Sequence, residues 1–145
     1  MPKTSGAVNR IIDANINRAK EGLRVCEEIS RFILNSRDLT SQLKDTRHRI
    51  DLIFKQLPKK ILLLEQRKST SDVGRCLYNN ELKRKNCQDI FFANIQRVKE
   101  SVRVLEEFSK LININIAIEF KKIRYDIYET EKRFAKKATS LSDCR

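Results

Sequence analysis

Glycine and proline are nearly missing from this 145-residue sequence, which holds three glycines (Gly6, Gly22, Gly74) and two prolines (Pro2, Pro58). Turn-rich β architectures need many more of both, so sandwiches and barrels are excluded and long helices are favoured. The same scarcity removes Walker-type phosphate loops and the dinucleotide fingerprint, because no glycines stand at the required spacing. Tryptophan is absent, and histidine occurs once, as His48. None of the four cysteines (Cys26, Cys76, Cys87, Cys144) forms a CxxC pair, so a structural zinc site has no ligand set. The thiols are expected to be reduced and mostly buried. The longest apolar run, Ile61 to Leu64, falls far short of the roughly 18 residues of a membrane span. The N-terminus lacks a signal-peptide pattern. A cytoplasmic protein with no membrane association is expected. Acidic residues are also in short supply, 19 against 31 lysines and arginines, which leaves a net charge of +12. The length suits one domain, residues 1–145.

What the sequence does contain is a repeat. Residues 14–32 read ANINRAKEGLRVCEEISRF and residues 93–111 read ANIQRVKESVRVLEEFSKL; at an offset of 79, eleven of nineteen positions are identical. Apolar residues in the first copy (Ile12, Ile16, Ala19, Leu23, Cys26, Ile29, Ile33) recur at steps of three and four, opposite an arc of Arg10, Asp13, Asn17, Lys20, Arg24, Glu27 and Arg31. That spacing predicts a helix over about 7–34 and a counterpart over about 88–112. A second helix follows from Leu39, Leu43, Ile50, Phe54 and Leu57, ending at Pro58. Its counterpart uses Ile116, Phe120, Ile123, Ile127 and Phe134. Short intervening loops imply antiparallel neighbours. The expected fold is all-α: duplicated helical hairpins forming a four-helix bundle-like domain. Unit one covers about 7–57, an irregular central connector about 58–86, and unit two about 87–137.

On a helical wheel Asn15 lies in the middle of the apolar face, with Arg18 about 60° to one side. The second copy repeats this with Asn94 and Arg97, and a small residue, Gly22 or Ser101, follows within two turns. Buried amides and guanidinium groups are costly unless paired, so their duplication implies either a structural polar network or a polar cleft. Arg47 and Arg124 flank the second seam identically, each four residues after one apolar position and three before the next. Converging arginines suit polyanions; each alone could equally cover apolar surface and pair with a glutamate. Glu21, Arg24 and Glu28 form a ladder repeated as Glu100, Arg103 and Glu107. It reads as a solvated ion-pair face, with Glu21 and Glu100 nearest the inward boundary and best placed for metal or cleft work. In the connector, Asp72 stands two residues before Gly74, able to take positive φ, among basic Arg67, Lys68 and Arg75. A plain turn explains that loop as well. His48 has no partner that the sequence fixes.

The paired A-N-x-x-R-x-x-E-x-x-R-V-x-E-E segments, the central R-K-S-T-S-D-V-G loop and the Arg47-His48 and Arg124-Tyr125 pairs together resemble one family. It is the atypical hydroxymethylpyrimidine phosphate kinase of thiamine biosynthesis, a small helical unit found alone or fused ahead of thiamine-phosphate synthase. The resemblance covers residues 8–134, and the chain would be its standalone form, since 145 residues cannot also hold a (β/α)₈ barrel. Lys68 and Cys26 depart from the family pattern, which has Asp after Arg67 and an aliphatic residue at 26.

The resemblance implies transfer of the ATP γ-phosphoryl group to 4-amino-5-hydroxymethyl-2-methylpyrimidine phosphate, with Mg²⁺ and a functional link to thiamine-phosphate synthase. It implies phosphate binding by Arg18, Arg97, Arg47 and Arg124, with Arg67 and Gly74 also in the phosphate site. Asn15 and Asn94 would orient ligand polar atoms. Asp72 would be the first metal ligand, with Glu21 or Glu100 second. Two other classes fit a +12 helical chain: a nucleic-acid-binding module, and a structural protein that self-associates as a homo-oligomer. Basic residues interleaved with acids, and aromatics at only 7%, count against nucleic acid as the partner.

Overall fold

The structure, a computed structural model, describes residues 6–58, 69–75 and 82–139. It is all-α: helices α1 (Gly6–Phe32), α2 (Arg37–Phe54), α3 (Cys87–Ser109) and α4 (Ile114–Ala138), with no strand among the described residues. Each start is capped where the sequence supplies a polar side chain. Ser36 accepts from the Leu39 amide, Asn86 from that of Asp89, and Asn113 from that of Asn115. The α1 end is closed by Asn35 in the left-handed region (φ 51°), while the Ser36 amide donates back to the Ser30 carbonyl at 2.9 Å. Asparagine is one of the few non-glycine residues that tolerates this conformation. Helix α2 ends at Phe54, four residues before Pro58, and α1 ends at Phe32, which leaves Ile33 exposed rather than in the seam.

The helices form a ring in the order α2, α1, α3, α4, and the predicted apolar seams meet inside it. Phe91 stacks on Phe134, with Phe92 edge-on to both. Helices α1 and α3 run antiparallel. The backbone at Gly22 lies against Asn94, and one turn on, the Cys26 thiol donates to the Phe91 carbonyl. With an offset of 79 between copies, this places the equivalent residues Ala19 and Val98 at the crossing, so an internal twofold axis passes between them. On the far side of the ring, Arg49 and Asp126, each two residues beyond the paired Arg47 and Arg124 and so equivalent in the second helix of each unit, form an ion pair between α2 and α4. Duplication has let one residue meet its own counterpart with opposite charge.

Gly22 permits the close approach. A Cβ there would lie 2.6 Å from Val98 Cγ2 and 3.1 Å from the Asn94 carbonyl oxygen. Gly22→Ala should therefore destabilise the fold. Overpacking costs about 1–3 kcal/mol, which exceeds the ~0.5–1 kcal/mol gained by replacing a helical glycine. Urea denaturation should show the loss, and in a Val98→Ala background it should shrink by at least half. An equal loss in both backgrounds would locate the clash elsewhere.

One reading of the sequence needs correction here: Cys87 is disulfide-bonded to a partner outside the described residues, not reduced. Gly74, able to take positive φ, does not use that freedom. Cys26 is free and buried as expected, and desolvation, with a smaller contribution from the Glu131 charge, pushes its thiol far above the ordinary range. None of the described helices is long and apolar enough to cross a membrane.

Candidate functional site

The α1–α3 crossing leaves a cleft of about 480 Å³ on one face of the crossing, spanning the internal axis. Four pairs of repeat-equivalent residues line it: Asn15 with Asn94, Arg18 with Arg97, Glu21 with Glu100, and Gly22 with Ser101. Val104 and, from the connector, Gly74 complete the wall. The volume lies within the range of small-molecule sites. Apolar periodicity positions this set. Burying the Ile12–Ile16–Leu23 stripe turns the adjacent arc of α1 toward the same arc of α3, so both copies present one amide, one guanidinium and one carboxylate to a common hollow.

Asn15 and Asn94 are held alike. Each Nδ2 donates to the carbonyl four residues back, Ile11 at 2.8 Å and Ile90 at 2.7 Å. That bond fixes the amide and leaves its Oδ1 as an acceptor unengaged among the described residues. The Ser101 hydroxyl donates to the Arg97 carbonyl at 2.7 Å. Arg18 and Arg97 are exposed, and neither guanidinium has a hydrogen-bond or ion-pair partner among the described residues. The same holds for Glu21 and Glu100. Two cations and two anions thus face one hollow without neutralising each other.

A second cavity of about 300 Å³ adjoins the first through Glu21, which lines both, and is otherwise walled by Arg10, Asp13, Ala14, Asn17, Ser69 and Asp72. Asp72 belongs to this side chamber, not to the central cleft. One of its carboxylate oxygens accepts from the Gly74 amide at 2.8 Å, the tight turn foreseen as the plain alternative. Among the described residues no group of three or more His, Cys, Asp or Glu side chains converges. Glu21 and Glu100 nonetheless suit a magnesium ion, which takes one or two protein carboxylates and completes its shell with phosphate oxygens and water. Arg67 lies outside the described residues.

Arg47 and Arg124 are placed elsewhere. Arg47 Nε donates to Glu27 at 3.1 Å and Arg124 Nε to Glu106 at 2.8 Å, and neither arginine lines the cleft. The Glu106 hydrogen bond, followed by that to the Tyr128 hydroxyl, holds the Arg124 guanidinium above even its usual range. Glu27 and Glu106 are 5% and 4% exposed, so the sequence reading that put Glu27 on the outer arc is corrected, as it is for the buried Asp13. Arg24 and Arg103 extend each pair outward, reaching Glu28 at 3.6 Å and Glu107 at 3.2 Å. The Lys110 hydrogen bond, more than neighbouring charges, lowers the Glu107 carboxyl below its ordinary range. These are structural braces between the hairpin helices. Their signal in the sequence was the retention, in both copies, of the first Glu of the Glu-Glu doublet together with a downstream arginine. His48 is exposed and makes no hydrogen bond or ion pair among the described residues.

Fold and cleft together define an internally duplicated four-helix protein with one polar site astride its own twofold. Residues 10–133 match the ThiD2 family, and the chain belongs to that family. Among curated relatives, the thiamine-phosphate synthase of Nostoc punctiforme is 42% identical over 125 residues, 86% of this chain and 34% of the relative. That of Synechococcus sp. (strain CC9605) is 38% identical over 125 residues, again 86% and 34%. The Rhodopirellula baltica thiamine-phosphate synthase is 35% identical over 139 residues, 95% of this chain and 37% of the relative. The chain spans about a third of the length of the curated relatives it matches. No solved structure matches it.

Proposed function

We propose that this chain is a phosphotransferase of thiamine biosynthesis, converting 4-amino-5-hydroxymethyl-2-methylpyrimidine phosphate and ATP to the pyrimidine diphosphate and ADP in the cytoplasm. The observation that carries the reading is the central cleft, with two arginines and two glutamates, unpartnered among the described residues, drawn from equivalent places in the repeat. Membership of the ThiD2 family and the likeness to thiamine-phosphate synthases support the pathway. Such a synthase would consume the product.

An oxygen of the acceptor phosphate attacks the γ-phosphorus of ATP. The bond from that phosphorus to the β–γ bridging oxygen breaks, and ADP leaves with the electron pair. The attacking oxygen is already anionic, so no side-chain base is needed, and catalysis reduces to positioning and charge neutralisation. Arg18 and Arg97 supply both, as planar donors facing crowded phosphates. The Asn15 and Asn94 amide oxygens, unengaged, suit an N–H donor such as an exocyclic amine better than a phosphate oxygen. Glu21 and Glu100 would hold magnesium, which when bound supplies further neutralisation of the phosphates. Arg47 and Arg124 act at a distance, bracing α2 on α1 and α4 on α3.

A coupled assay for ADP tests this. ADP release that requires both the pyrimidine monophosphate and magnesium is expected. Folded protein that releases no ADP, yet retains DNA or RNA in a salt-sensitive manner, would instead identify a nucleic-acid-binding module.

A further inference from the structure

A site built on a twofold axis offers the same donors twice, once on each side. Here Arg18 and Arg97 are equivalent under the repeat, both lack partners among the described residues, and both border one cleft, with Asn15 and Asn94 disposed in the same way. A lone phosphate can satisfy one half of such a site. A phosphoanhydride, with two phosphoryl groups about a bridging oxygen, has the matching near-twofold and can satisfy both halves together. We propose that the cleft is a clamp for the P–O–P unit itself, with the bridging oxygen near the internal axis and one phosphoryl group on each arginine, so that free inorganic diphosphate is a ligand in its own right. This rests on the reading of the cleft as a phosphate site and extends it to a ligand that is neither substrate nor product of the proposed reaction.

The physical gain comes from linkage. Once one phosphoryl group is seated on its arginine, the second is delivered to the other at high effective concentration. Each contact is a charge-assisted, bidentate pair. No described residue must be displaced from either guanidinium first, because neither is engaged in an ion pair among the described residues. Among the described residues the connector enters the cleft through Gly74, which contributes to one wall.

Calorimetric titration of the full chain with inorganic diphosphate, orthophosphate and methylenediphosphonate tests the proposal. Diphosphate and its methylene analogue should bind at least about tenfold more tightly than orthophosphate. Arg18→Gln and Arg97→Gln should each weaken diphosphate by about tenfold, the loss of one charged pair, and by factors within about threefold of one another. Thermal melts of both variants should match the parent, since both side chains are exposed. Orthophosphate binding as tightly as diphosphate would overturn the clamp, as would a loss confined to one of the two variants. Diphosphate binding with matched arginine effects but no ADP release would sink the kinase reading and leave the clamp standing. ADP release without any preference for diphosphate would do the reverse.

Discussion

Arg97→Ala should lower kcat/KM for the pyrimidine phosphate by at least tenfold, and Arg18→Ala should do the same, with the fold intact. The magnitude follows from what the guanidinium faces. Removing one preorganised donor to developing charge costs about 10²–10³ in rate in well-studied sites, and arginines that reach a transferring phosphoryl group can contribute more. Both side chains are exposed and unpaired among the described residues, so truncation leaves no buried charge behind and melting should not move. Because the two are repeat-equivalent on one cleft, the double variant should fall well below either single one. Steady-state kinetics with ADP detection gives the comparison. Unchanged turnover in Arg97→Ala would remove that residue from the site.

Glu106→Ala should do the opposite, damaging stability with no direct effect on chemistry. Its carboxylate is nearly inaccessible and receives both Nε and Nη2 of Arg124, whose side chain is 11% exposed. Taking the carboxylate away strands the guanidinium between α3 and α4 with, among the described residues, only Tyr128 to accept from it. Breaking one side of a buried pair costs about 3–5 kcal/mol, and residual exposure with the tyrosine contact points to the lower end, about 3 kcal/mol. Adding Arg124→Met should recover much of this, since two apolar groups replace an uncompensated charge. Urea denaturation measures both. A loss below about 1 kcal/mol for the single variant would show the pair to be as weak as an exposed one.

Much of this molecule was legible because the chain states its plan twice. Apolar steps of three and four in the first copy predicted α1, and the same steps in the second predicted α3. Asn15, Arg18 and Glu21 were distinguished from other polar residues by lying near or beside the apolar face, and the structure gathers them with Asn94, Arg97 and Glu100 into one cleft. Gly22 and Ser101, read as space for a neighbour, border that cleft, and Gly22 admits the α3 backbone.

The misplacements share a cause. A wheel treats a helix as packed on one side only, whereas α1 contacts both α2 and α3. The arc that looked solvated at Glu27 is where α2 lies, so Glu27 is buried and Arg47 answers it. Arg47 and Arg124, assigned to phosphate by resemblance, stand 20 and 18 residues beyond their glutamates, separations that name no partner until the hairpin is built. Asp72 lies in a connector that the repeat does not template, so nothing in the sequence fixed which chamber its carboxylate would line.

The most direct test is a crystal structure with the pyrimidine phosphate and a non-hydrolysable ATP analogue bound. Phosphate groups between Arg18 and Arg97, near the Ala19–Val98 crossing, are the expected result. Phosphates seated elsewhere, for example in the open hollow at Arg31 and Arg37 beside the α2 start, with the α1–α3 cleft holding neither ligand, would contradict it.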